Sequence, residues 1–210
     1  PRPVRLSAAH SLLIDAGPDE VKLADCLSAL RVRQTSVIIS HFDADHYAGL
    51  RAATTGGRTV EAVWTSAPSL ADPRVSEVQT LTGHEVQGLS DGMAFSAGDI
   101  RWEVLWPPPA MAEQADGRNQ ISAVIKVETA GVSVLVTGDV EEDGQRAMAA
   151  ENIDADILTA PHHGSRFIDP TFFTQVGASA GIVSVGADNR YGHPTQQAVS
   201  YTHLRAHETL

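Results

Sequence analysis

The stretch VIISHFDADHYAGL, Val37 to Leu50, runs from a short apolar segment straight into four strong metal ligands. Val37, Ile38 and Ile39 show no alternation, which predicts a strand over Thr35–Ser40 covered on both faces. His41, Asp43, Asp45 and His46 then crowd into six positions. A solvated loop has no need of two histidines bracketing two aspartates, whereas imidazole nitrogens and carboxylate oxygens together are what a divalent cation binds.

The same pattern recurs along the chain. Val134–Thr137 leads into Gly138-Asp139, Ile157–Ala160 into Pro161-His162-His163-Gly164-Ser165, and Ile182–Val185 into a loop holding Asn189, Arg190, Tyr191, Gly192, His193 and Pro194. Each reads as a buried strand followed by a turn carrying His or Asp. Alone, an aspartate at a strand end is ordinarily a turn or cap residue. In series, the loops predict convergence on one sheet edge. His41, Asp43, Asp45, His46, Asp139 and at least one of His162 and His163 would suffice for two metals sharing a carboxylate. Such a pair, about 3.5–4 Å apart, activates a bridging hydroxide.

Elsewhere the reading is coarser. Strands are expected over Leu12–Asp15, Val60–Thr65 and Arg101–Trp106, and a hairpin over Ile121–Glu128 and Val132–Thr137 about Ala130-Gly131. Helices are expected over Asp19–Leu30, Ala71–Leu81 (stopped by Gly83), Glu141–Glu151 and Asp169–Val176. Ala110–Gly117 reads as a polar loop. Mixed hairpins and helices favour two packed sheets with helices outside over a strictly alternating parallel sheet.

The chain has 210 residues, 42% hydrophobic, enough for a sizeable core in one domain. It has no apolar run of about 18 residues, so no membrane span is expected, and the N-terminus lacks the apolar stretch of a signal peptide. The net charge of −11 argues against nonspecific nucleic-acid binding through a basic face. The single cysteine, Cys26, falls in the pattern Val21-Leu23-Leu27-Leu30 and reads as a buried core thiol.

LLIDAG (Leu12–Gly17), SHFDADHYAGL (Ser40–Leu50), Asn119–Ser122, LVTGD (Leu135–Asp139), PHHGS (Pro161–Ser165) and NRYGHP (Asn189–Pro194) together resemble the metallo-β-lactamase superfamily. The resemblance is strongest to its ComEC-like branch, the soluble domain of competence proteins that take up DNA. Asp43 where β-lactamases carry a histidine, with the last two motifs, separates the two branches. The resemblance implies a four-layer αββα sandwich over residues 1–210. Its recognisable core spans about 12–194 and its tail, 195–210, is atypical, so the sandwich is expected to be cut short at the N-terminal edge and the C-terminal end.

It also implies two divalent ions, Zn²⁺ or Mn²⁺. His41, Asp43 and one histidine of the pair His162 and His163 would hold one ion, and Asp45 and His46 the other, with Asp139 bridging. Asp15 would orient a ligand loop. Asn119, Ser165, Asn189 and His193 would face substrate, with Asp45 and His193 essential to catalysis. The superfamily's usual third-motif histidine is missing, and Asn119 or Ser122 is expected to occupy its space.

The implied activity is metal-dependent phosphodiester hydrolysis of DNA, single-stranded, in DNA uptake. The domain would be an extracytoplasmic part of a larger membrane protein. Hydrolysis of a lactone, thioester or β-lactam, or a non-catalytic DNA-guiding role, are the alternatives.

Overall fold

The computed structural model describes residues 10–113, 117–186 and 189–203. Four parallel strands form the first sheet in the order β1 (His10–Ile14), β2 (Gln34–Ile39), β3 (Thr59–Ser66) and β4 (Val86–Leu89). The second sheet has six strands. β5 (Ala94–Ala97), β6 (Ile100–Trp106), β7 (Val124–Thr129) and β8 (Val132–Val136) run antiparallel to their neighbours, and β9 (Ile157–Thr159) and β10 (Ala180–Ile182) continue from β8 in parallel.

Three apolar clusters make four layers of this. Ile38, Trp64 and Leu89 of the first sheet meet Ala97, Trp102, Val104 and Ile125 of the second. Outside the first sheet, Val37 and Ile39 pack with Leu27 of α1 (Glu20–Ala29), Leu50, and Val78 of α3 (Arg74–Thr82); the short helix α2 (Ala44–Tyr47) lies between α1 and α3 in sequence. Outside the second sheet, Val124 and Leu135 pack with Met148 of α4 (Glu142–Met148), Phe172 of α5 (Pro170–Val176) and Ala198 of α6 (Gln196–His203). The unalternated run in β2 is thus explained: Val37 and Ile39 face helices, and Ile38 faces the other sheet. Truncating Ile38, which is fully buried, would cost about 2–5 kcal/mol.

Several expectations are corrected. Cys26 is exposed. Only Leu27 of α1 is fully buried, beside Leu23 and Ala24, so the covered stripe is narrow and Cys26 lies off it. Val21 and Leu30 are each 69% exposed. α3 starts at Arg74, because a 3-10 turn over Ala67–Ala71 and Pro73 precede it. β10 is a three-residue edge strand with all its residues exposed, because only β9 covers it. β4 and β5 are too short and small-residued to have been read. The polar loop begins as a 3-10 turn over Pro109–Glu113, and 114–116 lie outside the described residues. Of the atypical tail, 196–203 is helical, with Tyr201 stacked 5.5 Å from Phe173; 204–210 lie outside the described residues. No helix among the described residues is long and apolar enough to cross a membrane.

Candidate metal centre

The loops after β2, β8 and β9 meet between the C-terminal ends of these strands. His162 N–H donates to Gly138 O at 3.1 Å, joining the loops after β9 and β8, and Ala123 N–H, just before β7, donates to Ser40 O at 2.9 Å. Gly138 sits where no larger residue fits, since a Cβ there would lie 2.9 Å from Ser40 Cβ and 3.0 Å from Ser122 Cβ. That close approach carries Asp139, almost fully buried, into the centre.

The two oxygens of Asp139 face two different groups. Oδ2 lies 3.9 Å from His41 Nε2 and 3.8 Å from His162 Nε2, and Asp43 Oδ2 is 3.7 Å from the same His41 nitrogen. Oδ1 lies 3.2 Å from His46 Nε2 and 3.5 Å from His163 Nε2, with Asp45 Oδ2 3.2 Å from His163 Nε2 and Asp45 Oδ1 4.0 Å from His46 Nε2. Both histidines of the PHHGS loop therefore reach the centre, one on each side. They do so from consecutive left-handed backbones, φ 46° at His162 and 56° at His163, and Asp15 is a third at 59°. Such conformations cost free energy in non-glycine residues and cluster where function demands them.

Each imidazole is held by its other nitrogen. His46 Nδ1 is 2.7 Å from Asp15 Oδ2, and Asp15 also accepts from Ser40 N–H at 2.7 Å and from its hydroxyl at 2.8 Å. His41 Nδ1 is 3.1 Å from the hydroxyls of both Ser40 and Ser122. His163 Nδ1 donates to Ser184 O at 2.8 Å. His162 Nδ1 is 3.2 Å from Glu141 Oε1. Backing of this kind sets the tautomer and turns Nε2 inward.

The inward atoms are left over. Nε2 of His41, His46 and His163, and Oδ1 of Asp139, are buried without a hydrogen-bond partner; His46 Nε2 and Asp139 Oδ1 are close but not aligned. Orphaned buried polar atoms are costly and scarce in folded proteins. Here they converge, and two sets of ligand atoms, His41/His46/Asp139 and Asp45/His46/His163, each lie within 4.8 Å of one another. The residues fit divalent cations.

Protonation tells the same story. Burial works to lower the pKa of His46, but contacts with Asp139 and Asp15 outweigh it and raise it to about 11. Contact with Asp45 raises His163 against the effect of burial, and the same contact holds Asp45 well below the usual carboxylate range. Burial would raise Asp139, yet His46 first, then His163 and His41, pull it down. Burial, and then His46, keep His41 neutral. The cluster thus attracts positive charge, as protons or as metal.

The remaining residues fall at or outside the rim. Asn119 donates to Glu141 Oε1 at 3.0 Å and its amide lies 3.5 Å from His162 Nδ1. Ser122, not Asn119, reaches behind His41, its hydroxyl accepting also from Asp139 N–H at 3.1 Å. His193 stands 5.6 Å from His162, ring to ring. Two expected substrate contacts are reassigned. Ser165 is buried, and its hydroxyl accepts from Phe167 N–H at 3.1 Å. Asn189 donates to His193 O and accepts from Tyr191 N–H, closing its own loop.

No local pattern marked Arg74, which donates to Phe42 O between His41 and Asp43, pairs with Asp72 at 2.7 Å and lies over the Phe42 and Tyr47 rings. Nor did one mark Arg118, whose Nη1 is 2.7 Å from Asp43 Oδ1. Glu141 was visible only as an acidic helix start. A cavity of about 230 Å³ lined by Asp15, Asp45, His46, Asp139 and His163 opens on one part of the cluster, and one of about 260 Å³ lined by Asp43, Arg118, Asn119 and Glu141 on another.

No family model matches the chain. ComE operon protein 3 of Bacillus subtilis is 29% identical over 188 residues, 86% of this chain and 24% of that protein. Competence protein ComA of Neisseria gonorrhoeae is 26% identical over an alignment of 212 residues, covering 97% and 28%. The chain thus spans about a quarter of the length of these relatives. Among solved structures, the metallo-β-lactamase fold protein YhfI of Bacillus subtilis aligns over 74% of this chain and 60% of its own, at 19% identity and a TM-score of 0.47. Competence proteins are thus similar to this chain along most of its length, and its helices outside two packed sheets and its His and Asp loops meeting at one edge agree with the resemblance to the ComEC-like branch of the metallo-β-lactamase superfamily.

Proposed function

We propose that this domain is a metal-dependent phosphodiesterase that cuts DNA, as part of a longer membrane protein of DNA uptake whose domain lies outside the cytoplasm. The observation that carries the reading is Asp139, whose two buried oxygens face two separate histidine groups. His41, Asp43 and His162 would hold one divalent cation, Asp45, His46 and His163 the other, and Asp139 both. Zn²⁺ and Mn²⁺ suit this mixture of imidazole and carboxylate. Cations there would acidify water and neutralise phosphate charge.

The protein's own groups supply orientation. Asp15, Ser40, Ser122 and Ser184 fix the imidazoles through Nδ1, so the site is preorganised. Burial, then the facing His162 and His163, lower the pKa of His193, which is neutral at pH 7. A neutral imidazole is a hydrogen-bond donor to a nonbridging phosphate oxygen, so His193 serves binding of the transition state rather than proton donation. Arg118 beside Asp43 provides a guanidinium at the rim, which favours an anionic diester over a neutral lactone or thioester.

The test is a metal-loaded assay of a chromogenic phosphodiester beside a β-lactam, a lactone and a thioester. Diester turnover that stops with chelator is expected; turnover of another substrate alone overturns the reading. His193→Ala should keep its metal while losing about a hundredfold in diester turnover, the usual scale for one hydrogen-bond donor to a transition-state anion. If that variant loses a cation, His193 is a ligand instead.

A further inference from the structure

A row of rings leads away from the cluster. His162 faces His193 at 5.6 Å on one side and Phe167 at 6.4 Å on the other, the latter pair nearly parallel at 21°. His193 continues to Tyr191 at 6.0 Å, and Arg166 lies over the Phe167 ring at 5.0 Å. The Tyr191 end of the row is bare, at 86% exposed, and Phe167, 39% exposed, carries Arg166 at the other. Gly164 locks the two loops together, since a Cβ on it would lie 2.8 Å from Pro194 Cβ, and Thr195 N–H donates to Gly164 O at 2.8 Å. Isolated exposed rings are commonplace. A linked row that includes a ligand histidine and ends in a guanidinium on an aromatic face is a different object.

We propose that Phe167 with Arg166, and Tyr191, are stacking seats for bases of an unpaired nucleic-acid strand whose phosphate is presented to the cluster at His162 and His193. This rests on the phosphodiester reading for the position of the phosphate. Planar rings and guanidinium planes stack bases of any sequence. Bases in a duplex already stack on each other and offer only edges, so the row selects single strands. Stacking also suits a chain of net charge −11, because it draws affinity from the bases where a basic groove is not available.

The test is binding of the metal-loaded protein to a labelled octathymidylate with phosphorothioate linkages, beside an abasic strand of the same length and linkage. The wild type should prefer the base-bearing strand by at least about tenfold, the scale of one stacked base. Phe167→Ala and Tyr191→Ala should each remove most of that preference, and Phe167→Trp and Tyr191→Phe should keep it. The preference should persist as salt rises, while binding of the abasic strand weakens. Equal affinity for the two strands, no binding of either, or a preference intact in both alanine variants overturns the proposal. The chromogenic diester, assayed in parallel, separates it from the reading beneath. Diester turnover without base preference removes the seats and leaves the hydrolase. Base preference without diester turnover leaves a strand-binding module.

Discussion

Two loops differ in how they are held, 40–47 after β2, which carries His41 and His46 into the centre, and 189–193 beyond β10, which sets His193 at its rim. In the first, His41 is completely buried and His46 nearly so, Ser40 is tied to Asp15 twice, and Arg74 reaches across to hold Phe42 O. In the second, β10 is exposed along its length, Val185 and Tyr191 face solvent, and the loop is held by Asn189 bonding within it. A ligand shell needs imidazoles whose direction does not drift, and the partners behind Nδ1 of His41 and His46 provide that. A substrate face needs access and tolerance of varied ligands, and an exposed edge loop provides that. On the proposed function, metal retention would fall to the first loop and substrate handling to the second.

The largest effect expected from breaking this division is at Asp139. Asp139→Asn leaves the shape intact but removes the charge from the atom pair that faces both histidine groups. Metal content after dialysis should fall to background, and diester turnover with it. A variant that keeps both cations would show that the two groups are filled independently of Asp139.

Asp15 comes next. It supports His46 from behind at 2.7 Å. Asp15→Asn should weaken metal affinity by about 10–100-fold, the usual cost of losing an outer-shell partner, read by competition with a chelating dye. Substitutions of equal severity in the 189–193 loop should leave that affinity alone. Equal losses in both loops would dissolve the distinction.

Removing metal should also destabilise the fold. At a free cation concentration about a hundredfold above Kd, binding contributes about 2.7 kcal/mol. For a chain of this size that is a fall of about 5–10 °C in melting temperature on adding chelator. The effect should grow with pH. In the metal-free fold His46, at about 11, and His163, raised by Asp45, hold protons that the unfolded chain gives up above about 6.5. Their contribution to metal-free stability is full below that value and is lost as pH climbs through the folded ones. Cations must displace these protons, so their affinity should rise by about tenfold per pH unit for each proton released. Chelator titrations between pH 6 and 8 check this; a flat profile would mean that His46 and His163 are already neutral.

Sequence alone exposed the ligands better than their supports, and the reason is locality. An apolar run, a glycine or proline turn and a His or Asp lie adjacent in the chain, so β2 with His41, and β8 with Asp139, could be read directly. The supports come from far off: Ser122 is 81 residues from His41, and Arg74 is 32 from Phe42. No local pattern marks them. That His162 and His163 both turn inward could not be read either, because it depends on two left-handed backbones that residue type does not dictate. Cys26 was misplaced for a related reason: spacing says which residues share a helix face, not how much of that face a neighbour covers. β10 looked buried because its apolar letters match those of β9, yet it has a neighbour on one side only.

The smallest predicted effect is at Arg118, and its sign is the informative part. Arg118 Nη1 occupies Asp43 Oδ1 while Asp43 Oδ2 faces His41, so the guanidinium competes with a cation for the same carboxylate. The pair is about half exposed, and ion pairs of that kind contribute about 0–1 kcal/mol. Arg118→Ala should therefore bind metal a few-fold more tightly, by freeing Asp43. It should also raise KM for an anionic diester a few-fold, by removing a cation from the rim. The KM effect should shrink near 150 mM salt, where the screening length is about 8 Å, whereas the metal effect should change less. Arg118→Lys keeps the charge without the two-pronged guanidinium and should recover KM in part. Opposite signs place Arg118 at the border between the two loops' tasks, pairing with a ligand of the first and facing the substrate of the second. If metal affinity and KM both worsen, Arg118 instead holds the 117–120 turn in place.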